Sequence, residues 1–136
     1  MPASQHEDCI FCKIIKGDIP SYTVYENDDV KAFLDTNPNA DGHVLVVPKT
    51  HYENLFDTPD ELLTKMIDTI KTEIYPLLKE KLHVDGLTIC QNNFHGQEVK
   101  HFHIHLIPRY KQDAFKCTFD ESQVHPVADT YEKLKD

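Results

Sequence analysis

The sequence predicts an α+β domain: a short helix, a β-hairpin, a further strand, one long helix and two closing strands. Three observations carry this. His101-Phe102-His103-Ile104-His105 alternates imidazoles with large apolar residues, which is the period of a strand. Leu62, Leu63, Met66, Ile67, Ile70, Ile74, Leu77 and Leu78 recur at helical spacing, a single apolar stripe that reads as core packing. The remaining apolar runs are short, rich in β-formers and bounded by Gly, Pro, Asn or Asp. With 136 residues, 40% of them apolar, the chain is expected to be one domain with a core over about 9–110 and a C-terminal tail over 111–136.

The elements follow in order. Phe11–Lys16 reads as one or two helical turns with Gly17 as a left-handed cap. Tyr22–Glu26 and Val30–Leu34 flank Asn27-Asp28-Asp29, a hairpin signal. Residues 35–42 are turn chemistry throughout. His43–Val47 is a strand whose unbroken apolar run predicts cover on both faces, ended by Pro48. Thr58 is the expected N-cap of the long helix, with Pro59 at its first position and Glu61 closing a capping box. Pro76 is expected to kink that helix or end its regular part. Gly86–Gln91 is the next strand, with Cys90 in its core pattern, and the loop Asn92–Gly96 leads into a strand over Val99–Ile107 that Pro108 ends. Beyond it we expect an irregular tail with one short helix near Ala128–Lys135.

As a strand, the histidine segment sets three imidazoles on one face, roughly 6–7 Å apart. Phe102, Ile104 and Leu106 face a core on the other. As a helix, the histidines would fan out by about 200° per step. Imidazole titrates near neutrality, and its neutral nitrogen is a nucleophile, a base and a metal ligand. Strict alternation of three argues against a polar face that carries histidines by chance. A three-histidine metal site on one straight strand is geometrically awkward, because ligand bonds are about 2 Å; one of them is a feasible ligand, or two if the strand bends. Cys9-Ile10-Phe11-Cys12 is a CxxC pair, which suits a metal, a redox couple or two packed thiols. No second CxxC follows, so a zinc there would need two further ligands, most naturally histidines. His6, His43, His83, His95 and His125 match no motif and are expected mostly at the surface.

Composition narrows the partners. A formal charge of −9 excludes a broad basic footprint for nucleic acid, although amides and imidazoles can still hold a small anion. Met1–Asp8 lacks a basic region followed by an apolar run, so no secretory leader is expected. No apolar stretch is long enough for a membrane span. Four cysteines in such a chain suggest a reducing, cytoplasmic setting.

The segment Gly96-Gln97-Glu98-Val99-Lys100-His101-Phe102-His103-Ile104-His105-Leu106-Ile107-Pro108-Arg109 resembles the signature of the histidine triad family of nucleotide hydrolases and transferases. Ile10–Ile15, Ala32-Phe33-Leu34-Asp35 and His43–His51 resemble further family blocks in the right order, so the resemblance covers about residues 9–110. It implies an antiparallel sheet of about five strands flanked by helices, usually in a two-fold homodimer. The implied activity is hydrolysis of nucleoside 5′-phosphoramidates with a purine nucleotide as substrate. His103 would attack the α-phosphate and form a nucleotidyl-histidine, which water then hydrolyses. His105 would assist with charge and proton handling. Asn92 and the amides of Gly96, Gln97, Glu98 and Val99 would hold phosphate oxygens. Asp35 falls where a family carboxylate holds the ribose, against the alternative of a turn-forming Asp. Ile10, Phe11, Ile14, Phe33 and Leu34 would line the base pocket, against the alternative of ordinary core. Zinc-bearing members bind a structural zinc through residues that here are Cys9, Cys12, His51 and His101, against the alternative of two reduced thiols. Glu98 departs from the Ser or Thr of well-known members. A carboxylate there repels a phosphate if it points inward; the alternatives are a turn to solvent or action on the leaving group. Other expectations are hydrolysis of dinucleoside polyphosphates, a nucleotide-binding or regulatory role with little turnover, and a zinc-dependent hydrolase.

Overall fold

The computed structural model describes His6 and residues 8–135. Helix α1 (Ile10–Lys16) starts from Cys9, whose Sγ accepts from Cys12 N, and ends at Gly17 with φ +89°. Strands β1 (Thr23–Glu26) and β2 (Val30–Leu34) form the hairpin, and β3 (Val44–Pro48) follows. The long helical stretch is α2 (Asp60–Thr69), a π-helical turn (Ile70–Ile74) and α3 (Tyr75–Leu82). β4 (Gly86–Cys90) and β5 (Ile104–Arg109) complete the sheet. All pairings are antiparallel, in the order β1-β2-β3-β5-β4. A short helix α4 (Val127–Leu134) lies in the tail, close to its expected place, and it buries no residue. Among the described residues no helix is long and apolar enough to cross a membrane.

The period of two sorts the sheet into two faces. Val30, Ala32, Val44, Val46, Phe102, Ile104 and Leu106 pack against Met66, Ile70, Ile74 and Leu78. Phe33, Leu45 and Val47 pack against Phe11 and Ile14 of α1. Every residue of β3 is therefore buried, as its unbroken apolar run predicts.

Five local expectations need correction. The strand at the histidines begins at Ile104, and His101–His103 precede it. There Phe102 N donates to Tyr52 O (2.6 Å), so the chain ties to the segment after β3 and leaves the ladder. The same strand runs through Pro108, which pairs only with Leu87 of β4. Pairing with β3 stops at Leu106, so a missing N–H at Pro108 interrupts no two-sided ladder. Thr58 does not cap the helix: its Oγ1 donates to Asn54 O (2.6 Å), and Pro59 occupies the N-cap. Pro76 neither ends nor breaks the helical course; the π turn just before it absorbs the lost donor. Cys90 is only half-buried, because β4 is an edge strand.

Candidate functional site

The tautomers of the inward histidines can be read from their partners, since a carbonyl only accepts and a backbone N–H only donates. His103 Nδ1 lies 2.7 Å from His101 O. That nitrogen therefore carries the proton, and Nε2 keeps a free lone pair. His43 Nδ1 accepts from Asn39 N (3.0 Å). Its Nε2 must then be the donor to His105 Nδ1 (3.0 Å), and His105 is left with a proton on Nε2. Asp35 Oδ2 stands 3.7 Å from His43 Nε2. Burial is the first cause that lowers the pKa of His43, His103 and His105, so all three are held neutral near pH 7. The set thus offers one unprotonated nitrogen beside one N–H donor, with the rings of His103 and His105 5.0 Å apart.

His43 is the residue that sequence reasoning missed. It belongs to five histidines expected mostly at the surface, and it is only 2% exposed. A turn-rich stretch followed by one histidine carries no motif; only the contact with His105, 62 positions away, reveals its place. His83, His95 and His125 are exposed as expected, and His6, also exposed, stacks on His51 with ring centroids 3.8 Å apart.

A cavity of about 220 Å³ opens onto this set. Its walls include Ile10, Phe11, Ile14, Phe33 and Leu34, all of the residues expected around a base, together with Asp35, Glu98, Val99, His103 and His105. Phe11, Ile14 and Phe33 also belong to the smaller core, so the two readings of these residues are compatible. Asp35 takes its turn-forming role, with Oδ1 accepting from Asn37 N (2.9 Å), while Oδ2 faces His43. A larger apolar cavity, about 570 Å³, lies between the 36–42 loop and α3. It reaches His43 but neither His103 nor His105.

The loop before the histidines departs from expectation in detail. Asn92 is exposed and does not line the cavity. Gln97 N donates to Phe94 O (3.0 Å), which takes that amide out of a phosphate cradle. The Gln97 side chain is a brace: Nε2 donates to Glu53 O and Val99 O (2.5 and 2.9 Å), and Oε1 accepts from Phe94 N (3.3 Å). The amides of Gly96, Glu98 and Val99 have no acceptor among the described residues, and Gly96 takes φ +98° to turn them.

Behind the histidine segment, Cys9, Cys12, His51 and His101 present donor atoms that all lie within 4.8 Å of one another. His101 Nε2 donates to Pro48 O (2.8 Å), so its Nδ1 lone pair faces inward. That nitrogen stands 3.4 and 3.5 Å from the two sulfurs and 3.1 Å from His51 Nδ1. Tetrahedral bonds of 2.0–2.3 Å would set donors roughly 3.3–3.8 Å apart, which this cluster nearly matches. Burial pushes the Cys12 thiol up to about 11, a penalty that a bound cation reverses. The residues fit zinc.

The comparisons agree with this picture. The HIT domain model matches residues 16–112. An uncharacterized HIT-like protein of Methanocaldococcus jannaschii is 45% identical over 129 residues, covering 93% of this chain and 98% of its own. The adenosine 5′-monophosphoramidase HNT1 of Saccharomyces cerevisiae is 44% identical over 110 residues, covering 79% of this chain and 66% of the yeast protein. Among solved structures, SMU.412c of Streptococcus mutans superposes with a TM-score of 0.82 at 39% identity, covering 96% of this chain and 83% of that one. A zinc-bound histidine triad family protein of Mycobacterium smegmatis superposes with a TM-score of 0.74 at 37% identity, covering 85% and 86%. The chain belongs to the HIT family, and its five-stranded antiparallel sheet is the fold of these relatives.

Proposed function

We propose that this chain hydrolyses nucleoside 5′-phosphoramidates, with a purine nucleotide in the 220 Å³ cavity, through a nucleotidyl intermediate on His103. One observation carries the reading: the hydrogen bond from His103 Nδ1 to His101 O commits the free lone pair to Nε2. That nitrogen attacks the α-phosphorus, the P–N bond breaks, and the leaving nitrogen takes the proton from His105 Nε2. Water then attacks the phosphorus, returns a proton to His105 and frees the nucleoside monophosphate. The open amides of Gly96, Glu98 and Val99 stabilise charge on the phosphate oxygens, and Asp35 meets the ribose. The kinship with a yeast monophosphoramidase supports the choice of leaving group. Hydrolysis of dinucleoside polyphosphates is the second reading, the same attack with an anionic leaving group.

The remaining parts of the reading are structural. Cys9, Cys12, His51 and His101 hold one zinc ion, which braces the segment before β5. The chain is a single HIT domain with residues 111–136 as a tail. β4 leaves an open edge flanked by Ile89, Phe94 and Phe56, which are 54%, 61% and 73% exposed, and we assign that face to a two-fold homodimer; a monomeric mass by light scattering would count against it. Four free cysteines fit a reducing cytoplasm.

The deciding experiment is intact-protein mass spectrometry after brief incubation with adenosine 5′-phosphoramidate. The expected result is an adenylyl adduct on the wild type and none on His103→Ala, with ammonia released. No adduct and no turnover by the wild type would overturn the reading.

A further inference from the structure

The cavity walls carry two carboxylates, Asp35 and Glu98, and no lysine or arginine. Asp35 Oδ1 accepts from Asn37 N, and its Oδ2 stands 3.7 Å from the neutral His43 ring. Glu98 makes no hydrogen bond or ion pair among the described residues, and it is exposed. The nearest basic residue in sequence, Lys100, turns away: its Nζ donates to Phe94 O and Gln97 O (3.3 and 2.9 Å). The Glu98 charge therefore stands uncompensated beside His103 and His105, and its field reaches both rings.

The substrate's orientation sets where this charge acts. The apolar end of the cavity, at Phe11, Ile14 and Phe33, is buried and accepts the nucleoside. The leaving group must extend toward the open rim, where Glu98 lies. A carboxylate there attracts a cation and repels an anion.

We propose that Glu98 is a specificity-determining residue that selects phosphoramidates whose leaving amine carries a second, protonated amine, and rejects anionic leaving groups. The inference rests on the nucleotidyl-His103 reading and goes beyond it in naming the leaving group's charge. The chemistry is unchanged: the P–N bond breaks, the departing nitrogen takes a proton from His105, and the distal ammonium of the diamine keeps its own proton throughout.

Three adenosine 5′-phosphoramidates that differ only at the far end of one alkyl chain test this, ending in ammonium, methyl or carboxylate. For each enzyme the readout is the ratio of kcat/KM between substrates, so a change common to all three cancels. The wild type should prefer ammonium over carboxylate by about tenfold at low salt, since a charge pair at a few ångströms in a half-solvated site has that order of effect. Added salt should shrink the ratio. Glu98→Gln should bring it near unity, and Glu98→Lys should invert it. Equal ratios in the wild type and Glu98→Gln, with the methyl substrate still turned over and the His103 adduct still formed, would overturn the role of Glu98 and leave the hydrolase reading standing. No turnover of any of the three and no adduct would overturn the hydrolase reading and this inference with it.

Discussion

At the scale of the residue, the proposed reaction depends on which nitrogen of each ring carries the proton, and backbone groups make that choice. Asn39 N and His101 O are the two anchors. Removing the relay should show in kcat. His43→Leu takes away the donor to His105 Nδ1 and frees the His105 ring to adopt either tautomer. We expect kcat to fall about tenfold to a hundredfold with a smaller change in KM, in the range of other supporting hydrogen bonds. His43→Gln, which can accept from Asn39 and donate to His105, should recover part of the loss; equal losses in both variants would rule out the relay.

The pH profile belongs to the same scale. In the proposed reaction the competent form of His105 is neutral, because Nδ1 must accept from His43. Burial first, and then the neighbouring His43, lower its pKa, while Asp35 and Glu98 pull it up. A pKa depressed below the ordinary value of about 6.5 means that the neutral form persists as pH falls past that point. Log kcat/KM should stay flat down through pH about 6.5 and bend downward only below it. A bend at or above that value would contradict the burial argument.

At the scale of the element, two glycines with the same backbone twist have different surroundings. Gly17 and Gly42 have φ +89° and +87°. A Cβ on Gly17 meets nothing within 4 Å, whereas one on Gly42 would stand 2.6 Å from Leu82 Cδ1 and 3.2 Å from Pro108 Cγ. Gly17→Ala should cost about 1 kcal/mol, the left-handed penalty alone. Gly42→Ala adds overpacking of about 1–3 kcal/mol and displaces the loop that carries Asn39, so it should also slow turnover. Chemical denaturation of both variants measures the difference, and equal midpoints would show that the loop yields freely. The elements themselves were largely legible. α1, the β1–β2 hairpin, β3 and α4 follow from local pattern and caps. Most residues that line the site cavity are legible too, but Pro20, Ser21, Thr36 and Leu45 carry no signal, Asn92, Gly96 and Gln97 do not line it, and His43 joins His105 only in space. The start of β5, the failed Thr58 cap and the π turn were not legible. The first is set by a partner distant in sequence, Tyr52 for Phe102; in the other two a local competitor wins, Asn54 O for the Thr58 hydroxyl and the lost donor of Pro76 for residues 70–74.

At the scale of the whole molecule, the Cys9, Cys12, His51 and His101 cluster joins the N-terminal helix, the segment after β3 and the histidine segment. Bound metal should therefore act on stability, through the folded state alone. One zinc per chain is expected by elemental analysis, and Cys12→Ser should abolish it. Chelation should lower the melting temperature by several degrees while the protein that remains folded keeps its turnover. Loss of turnover with an unchanged melting temperature would point instead to a metal at the reacting centre.

The sequence by itself determined the chemistry available to this protein. The alternation of His101, His103 and His105, the CxxC pair and the run of β3 are local patterns, and local periodicity decides which side chains share a face. What only the tertiary structure decided is how those groups are armed. The tautomer of His103, the recruitment of His43, the loss of the Gln97 amide and the uncompensated charge of Glu98 all depend on neighbours brought in by folding. A hydrogen bond or a field is a property of distance in space, and sequence spacing does not encode it.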